Sequence, residues 1–252
     1  MARTPAERGR GNFFNMFTKF LTEIKNILFP VYCVECQREG EWWCQKCQKK
    51  IPELGIFLCP ICSAPTTRGI CCTKCAPASF LYSVSSLLSY QERGASGKLI
   101  KDFKFHLAKD IESAFANLIV NNKEIWRDVF PSEVTIIPVP LHPRRERERG
   151  YNQAKILARE FCKVLQDLGV AGEYQEKYLL RQRYTFPQSQ LSAEARRENV
   201  KEAFVWEDKN KIPEKVILVD DVFTTGATMQ ECAKVLCTAG VKEVWGWTLA
   251  RD

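Results

Sequence analysis

KVILVDDVFTTGATM, residues 215–229, places a short apolar run before two acidic residues and a loop of small residues. Residues 216–219 are rich in β-branched side chains, and an apolar run of this length predicts a strand buried on both faces of a parallel sheet. Residues 229–238 then have a helical pattern, and Gly240 predicts where the helix ends. This order of strand, loop and helix predicts an α/β fold with a central, mainly parallel sheet.

The residues after this strand carry groups that suit a phosphorylated sugar. Asp220 and Asp221 stand where the predicted strand ends, and ligands of open α/β sheets bind at that edge. Their carboxylates accept hydrogen bonds from two adjacent hydroxyls, as on a ribose, or hold a metal through water. The loop offers an anion backbone N–H groups, hydroxyl donors and close approach through Thr224, Thr225, Gly226, Ala227 and Thr228. Together they fit a 5-phosphoribosyl group.

Competing interpretations of this stretch explain less of it. The sequence contains neither the P-loop pattern G-x-x-x-x-G-K-[ST] nor the dinucleotide pattern G-x-G-x-x-G. A plain strand-to-helix turn with Thr228 as the helix N-cap accounts for one residue and not for the whole string. The stretch closely resembles the loop that binds phosphoribosyl pyrophosphate (PRPP) in type I phosphoribosyltransferases.

Length and charge limit the range of functions. The 252 residues suffice for one α/β domain and a smaller module, and 45% hydrophobic residues are ordinary for a globular protein. The net charge of +7 favours anionic partners, either phosphorylated small molecules or nucleic acid. The charge alone does not choose between them.

The cysteines predict metal. Nine of the 12 lie between Cys33 and Cys75, and a C-x-x-C turn directs two thiolates at one ion. Four such turns imply two structural zinc ions, with sequential pairing favoured over a cross-braced pattern and Cys71 able to replace its neighbour. A dithiol redox role needs fewer cysteines. The predicted ligands are Cys33, Cys36, Cys44, Cys47, Cys59, Cys62, Cys72 and Cys75.

The N-terminal region predicts a cytoplasmic location. No stretch reaches the roughly 18 apolar residues of a transmembrane helix, and charged residues interrupt the apolar segment too often for a signal peptide. Residues 13–28 have apolar side chains at helical spacing. This amphipathic helix is expected to pack on the protein itself, with peripheral contact to a membrane or partner as the alternative.

A second anion site is predicted near the middle of the chain. Residues 134–140 form an apolar strand that leads into LHPRRERERGYNQ and a helix over about 151–168. Guanidinium groups ahead of a helix bind anions bidentately, so Arg144, Arg145 and Arg149 are candidates for a pyrophosphate. His142 is equally a site residue or a turn residue.

The remaining segments complete the predicted sheet. Residues 80–90, 177–183 and 203–206 have strand patterns, and residues 241–249 are expected to close the sheet. Residues 98–105 begin a helix whose lysines, Lys98, Lys101 and Lys104, favour a solvated face over a site. Residues 184–200 lack core patterning and suggest a mobile lid beside the site.

The cysteine turns, the segment PVPLHPRRERERGYNQA and the loop VILVDDVFTTGAT occur in an order that resembles the ComF family of competence-associated proteins. The resemblance implies a double zinc ribbon at 31–78 and a type I phosphoribosyltransferase-like domain at 79–252. The residue pattern predicts a basic tail and amphipathic helix before them, at 1–30. The resemblance assigns the ribose hydroxyls and Mg²⁺ to the catalytic pair Asp220 and Asp221, and the 5-phosphate to 224–228. The arginine segment would take the pyrophosphate, and 184–199 the flexible loop.

Two functions follow from these features. In the first, the chain binds PRPP with Mg²⁺ and acts as a phosphoribosyltransferase on an unidentified acceptor, in bacteria that take up DNA. In the second, it is a non-catalytic accessory protein that holds single-stranded DNA through the arginines of 144–149, Arg196 and Arg197, with stacking on Tyr184 and Phe186. A competence helicase would then be a partner of the zinc module.

Overall fold

A computed structural model describes residues 30–105, 109–185, 192–207 and 212–252. The predicted helix over 13–28 lies outside these residues. Backbone contacts divide the chain into two units, Met1–Lys50 and Ile51–Asp252. The predicted boundaries at 30/31 and 78/79 stay predictions. Within the described residues, no helix is long and apolar enough to cross a membrane.

The first unit is built around its cysteines. The Cys33 carbonyl accepts a hydrogen bond from the Gln37 N–H at 2.9 Å, and the Cys44 carbonyl accepts one from Gln48 at 3.0 Å. Cys44 is the N-cap of helix α1, Gln45–Gln48, on which Cys47 is buried. The backbone of each turn is thus satisfied locally, and the sulfur atoms are left to converge.

The second unit contains a mostly parallel sheet, as predicted. The strand order in the sheet is β1-β2-β8-β7-β3-β4, in which only the β1–β2 pair is antiparallel. A separate antiparallel hairpin consists of β5 and β6. The bounds are β1 Leu54–Phe57, β2 Ser83–Ser89, β3 Glu133–Pro138, β4 Ala171–Tyr174, β5 Leu179–Arg181, β6 Phe204–Trp206, β7 Lys215–Phe223 and β8 Glu243–Arg251.

Helices connect the strands. Their bounds are α2 Ala95–Phe105, α3 Lys109–Asn121, α4 Pro143–Arg149, α5 Gln153–Asp167, α6 Ala193–Val200 and α7 Ala227–Ala239. The side chain of Asn152 caps α5 by accepting the Ala154 N–H at 3.0 Å. Gly240, with φ 116°, ends α7 as predicted, because a left-handed residue closes a helix and glycine adopts that conformation freely.

The core lies around the two central strands. Residues 216–219 of β7 are fully buried, and β8 is buried along nearly its whole length. On one face of the sheet the Trp247 ring stacks on the Phe161 ring, with 4.2 Å between the ring centroids. The Trp126 ring packs edge-on against both of these rings. The structure therefore corrects one expectation: 241–249 lies in the middle of the sheet and does not close it. Glycine and aromatic residues masked its two-sided burial in the sequence.

Further expectations are corrected by the structure. Asp220 and Asp221 were expected where the strand ends, but β7 runs on to Phe223. The arginine segment is a helix of its own, and α5 begins two residues later than expected. Residues 193–200 of the expected lid are helical, and 177–183 contributes to the separate hairpin. Each additional helix begins after a residue whose side chain accepts a backbone N–H, His142 from Arg144 and Ser192 from Ala195.

Candidate functional site

Eight cysteines form two groups suited to metal, and both groups pair sequential turns as predicted. Within each group the ligand atoms lie within 4.8 Å of one another. The Sγ atoms of Cys36 and Cys44 are 3.7 Å apart, and those of Cys62 and Cys72 are 3.8 Å apart. Tetrahedral zinc with Zn–S bonds of about 2.3 Å places sulfur atoms about 3.8 Å from one another. Both groups therefore fit structural zinc.

The environment of these thiols favours thiolates held by a cation. Burial opposes ionisation, but backbone N–H groups lower the pKa of Cys33 to about 6, and the same balance lowers the pKa of Cys59 to about 6. Burial and neighbouring thiols raise the pKa of Cys47 to about 12. A hydrogen bond with Cys72, together with burial, raises the pKa of Cys75 to about 12. Four thiolates therefore need a dication before all can ionise.

A fifth thiol lies beside the second group. Cys72 is the member of that group, and the Cys71 Sγ atom is 3.9 Å from the Cys59 Sγ atom. Burial raises the pKa of Cys71 to about 11, so this thiol stays protonated beside the cluster. Of the three single cysteines, whose helical patterns predict core thiols, Cys162 and Cys232 are buried, whereas Cys237 is only partly buried.

Asp220 and Asp221 lie within the last four residues of β7 and differ in environment. Successive side chains of a strand alternate between its faces, but the charges of both carboxylates act on Arg149. The Asp220 Oδ1 atom accepts the Asp221 backbone N–H at 2.9 Å. Burial and the Asp221 charge raise the pKa of Asp220 to about 7. Burial thus opposes the charge of Asp220, and a bound cation or a hydroxyl-bearing ligand would stabilise its ionised form.

Lys104 is a site residue that the sequence did not reveal. Its Nζ atom lies 3.0 Å from Asp221 Oδ2, and both side chains are largely buried. The end of α2 is fixed there because the Tyr151 hydroxyl and the Gln153 side chain both donate to the Phe103 carbonyl. The solvated-face interpretation is wrong for Lys104, whereas Lys98 and Lys101 are exposed.

Three arginines contribute charge near the aspartates. Burial lowers the pKa of Arg149, the Arg145 charge lowers it further, and the charges of Asp221 and Asp220 oppose this. Burial also lowers the pKa of Arg181, whose charge interacts with those of Arg145 and Asp220. Of the predicted arginines, Arg149 interacts with the charges of both aspartates, and Arg145 interacts with Arg149 and Arg181. Arg181 was missed because it lies in an apolar strand pattern.

Arg144 contacts a different set of residues. Its guanidinium lies 4.9 Å from the Tyr184 ring centroid, and its Nε donates to Glu148 at 3.0 Å. The His142 ring meets Tyr184 edge-on at 5.3 Å, and its Nδ1 accepts the Arg144 backbone N–H at 3.2 Å. His142 is therefore the cap of α4. The exposed Tyr184 carries a cation on its ring.

The loop after β7 has the conformation of an anion cradle. Gly226 has φ 72°, and a Cβ at this position would lie 2.6 Å from the Phe223 ring. Gly226, not Thr228, is the N-cap of α7. The Thr224 hydroxyl accepts from Arg196 Nη1 at 3.1 Å, and the Thr225 hydroxyl accepts the Ala227 N–H at 3.4 Å. The helix N-terminus and the arginine make this loop electropositive.

Comparison with known proteins gives relatives along most of the chain. No family model matches. The chain is 38% identical over 159 residues to Competence protein F of Haemophilus influenzae, covering 61% of this chain and 66% of that protein. It is 32% identical over 219 residues to DNA utilization protein YhgH of Salmonella typhi, covering 82% and 89%. It is 26% identical to Competence protein ComFC of Bacillus subtilis over 218 residues, covering 83% and 84%.

Proposed function

This chain belongs to the ComF family of competence proteins, and from that premise we propose that the carboxyl edge of β7 binds PRPP with Mg²⁺. The observation that carries the proposal is the combination, on one strand–loop–helix unit, of a carboxylate pair and an electropositive loop. A ribose 5-phosphate group matches this combination, because its phosphate suits the loop and its two adjacent hydroxyls suit the carboxylates.

The loop binds the 5-phosphate in this proposal. Gly226 allows the backbone to approach the anion, and the first turn of α7 directs N–H groups at it. The Thr224 and Thr225 hydroxyl oxygens accept hydrogen bonds from Arg196 and Ala227, so their O–H groups can donate to the phosphate. Arg196 already reaches Thr224, and its charge supports a phosphate at the same place. Ala227 and Thr228 complete the cradle.

The aspartates bind the ribose hydroxyls and would hold Mg²⁺ through water. Burial and the Asp221 charge raise the pKa of Asp220 to about 7 even with Lys104 and Arg181 nearby, and a bound cation would favour the ionised carboxylate. Bound Mg²⁺ would supply charge neutralisation of the pyrophosphate. Lys104 holds the Asp221 carboxylate in place, at a distance of 3.0 Å. The carboxylate is then oriented before a sugar binds.

Arg145 and Arg149 stabilise the pyrophosphate, and the reaction class we propose is phosphoribosyl transfer. In that reaction the bond from C1 of the ribose to pyrophosphate breaks, and a bond from C1 to an acceptor forms. Arginines held near the aspartates offset the charge that develops on the leaving group. Arg144 is assigned to this site by the sequence pattern, but its place on Tyr184 makes its contribution smaller.

Calorimetric titration of the zinc-loaded protein with PRPP and Mg²⁺ tests the proposal. We expect binding by the wild type and its loss in Asp220→Asn/Asp221→Asn, because an amide accepts fewer hydrogen bonds and carries no charge for the cation. Arg127→Lys is the matched control, since Arg127 is exposed and pairs with Glu124. Absence of binding to the wild type would overturn the assignment of the ligand.

A role in DNA uptake is the second part of the proposal. It is supported by the names of the relatives, which include competence proteins and DNA utilization proteins. One contact favours direct binding of single-stranded DNA: Tyr184 is 42% exposed and has Arg144 on its ring. An exposed aromatic ring beside cations stacks with a base while the cations contact phosphates.

Fluorescence anisotropy with a single-stranded oligonucleotide tests this second function. We expect affinity to fall steeply with salt, and Tyr184→Ala to weaken binding by roughly tenfold at fixed salt through loss of stacking. Tyr178→Ala is the control, because Tyr178 packs edge-on against Trp206 in the separate hairpin. Equal affinity of Tyr184→Ala and wild type would remove Tyr184 from the interface.

A further inference from the structure

Arg251, the last residue of β8, is a buried arginine bound to the second zinc-ligand group. It is 4% exposed, and its guanidinium donates to the carbonyls of Leu58 at 2.9 Å and Cys59 at 2.8 Å. It also donates to the Ser63 hydroxyl at 3.2 Å. Cys59 is a member of that group. One side chain therefore fixes the backbone of the first C-x-x-C turn of the group.

Charge strengthens this attachment. The Arg251 charge interacts favourably with Cys59 and Cys62 when these are thiolates. Four thiolates and one Zn²⁺ leave two negative charges, and a buried guanidinium beside them offsets part of that excess. The planar group suits this position better than an ammonium, because its fork reaches two carbonyls at once.

The same guanidinium also contacts Phe223, the residue that precedes the proposed phosphate loop. It lies 4.7 Å from the centroid of the Phe223 ring, and the two residues are neighbours in the β7–β8 ladder. The tip of that ring packs on Gly226, where a Cβ would meet Phe223 Cζ at 2.6 Å and Cε2 at 3.1 Å. Phe223 itself is 3% exposed. An unbroken series of contacts thus joins Cys59, Arg251, Phe223 and Gly226.

We propose that Arg251 is a positioning residue through which the second zinc site holds the phosphate loop in its binding conformation. Zinc orders the turn at Cys59, the ordered carbonyls hold Arg251, and Arg251 holds the Phe223 ring against Gly226. Loss of zinc at this group releases the ring and lets the loop depart from the φ 72° conformation at Gly226. The proposal rests on the proposed function only where it concerns phosphate affinity.

Hydrogen exchange of the zinc-loaded protein tests the conformational link without a ligand. We expect Cys62→Ser and Arg251→Lys each to increase amide exchange at residues 222–230 by at least tenfold. Cys36→Ser is the matched control, since it removes one exposed ligand of the other group. We expect it to change exchange around Cys36 alone. Wild-type exchange at 222–230 in both Cys62→Ser and Arg251→Lys would overturn the link, as would an equal increase in Cys36→Ser.

Titration with ribose 5-phosphate tests the effect on affinity. We expect Cys62→Ser and Arg251→Lys each to weaken binding by about tenfold or more, and the double variant to bind no more weakly than Arg251→Lys. Independent, multiplying losses would contradict a single series of contacts. If the wild type does not bind ribose 5-phosphate, the proposed function fails and hydrogen exchange alone decides the link. Phe223→Leu, which removes the aromatic ring and keeps an apolar side chain, replaces Arg251→Lys if that variant does not fold.

Discussion

At the scale of single residues, Asp220 makes the stability of this protein depend on pH. Its pKa is raised to about 7 by burial and by the Asp221 charge, whereas an aspartate in the unfolded chain has a pKa of about 3.9. Between these values the folded protein binds a proton that the unfolded protein has released. Stability therefore falls as pH rises from about 4 to about 7, and the loss is complete above pH 7.

Asp220→Asn should stabilise the protein without Mg²⁺ at high pH. Each unit of pKa shift corresponds to about 1.4 kcal/mol, so the gain in free energy of unfolding is up to about 4 kcal/mol at pH 8 and about 2 kcal/mol at pH 5.5. Denaturant unfolding of both proteins at the two pH values measures it. A gain independent of pH would show that the carboxyl does not titrate in this range.

Gly226→Ala should lower the free energy of unfolding more than Gly169→Ala does, although both glycines have a left-handed conformation. Gly226 and Gly169 have φ 72° and 87°, but only at Gly226 would a Cβ meet another group within 4 Å. We expect Gly169→Ala to cost about 1 kcal/mol from backbone strain, and Gly226→Ala about 2–4 kcal/mol because the Phe223 ring must also move. Thermal unfolding measures both. Equal costs would mean that the ring yields freely.

Single residues were predictable where local sequence carries their chemistry. Asp220, Gly226 and the zinc ligands lie in short patterns whose spacing sets their geometry. Lys104 and Arg181 were not predictable, because Lys104 shares its spacing with exposed lysines and Arg181 follows two leucines. Only the packing of α2 against α5 and of the β5–β6 hairpin near α7 brings such charges to the aspartates.

At the scale of elements, the N-terminus of α5 connects two parts of the site. Asn152 is 3% exposed, caps the helix, and donates from Nδ2 to the Val139 carbonyl at 3.1 Å, just after β3. Tyr151 and Gln153, its two neighbours, hold the end of α2. Three consecutive residues thus fix a strand, a helix and the position of Lys104.

Asn152→Ala should destabilise the protein by about 2–3 kcal/mol. About 1 kcal/mol comes from the lost cap, and the rest comes from a Val139 carbonyl that loses its partner in a buried environment. Ser192→Ala is the matched comparison, since Ser192 caps α6 at an exposed position and should cost about 1 kcal/mol or less. Denaturant titration measures both, and equal losses would show that the second hydrogen bond contributes nothing.

Strands and helices were predictable from the sequence where they have a clear hydrophobic pattern and a recognisable terminal residue. Strand β7 and helix α7 were located by an apolar run and a terminal glycine, with errors of a few residues. Strand β4 was not identified because its sequence, AGEY, has little β-propensity. In the described part of the chain it is an edge strand and pairs only with β3. Helix α4 was not expected because PRRERER has no apolar face; its proline at the first turn and its cap explain it.

At the scale of the whole molecule, the zinc content of the chain can be predicted. Two groups of four cysteines should hold two zinc ions per chain. Cys72→Ser should reduce this to about one, whereas Cys71→Ser should keep two, because Cys72 is the member of the group and Cys71 is its neighbour. Elemental analysis of the purified variants measures the ratio. The reverse result would exchange the two cysteines as ligands.

The hairpin of β1 and β2 has a consequence for how copies of this protein meet in solution. Leu54, Ile56 and Phe57 of β1, between the two halves of the cysteine-rich segment, pair with Leu88, Ser86 and Ser85 of β2. Without β1, a row of backbone N–H and C=O groups on β2 would be open to a strand from another molecule. Pairing with β1 therefore keeps the edge of β2 from pairing with another molecule. A shortened chain that starts at residue 79 lacks β1 and should form oligomers or aggregates.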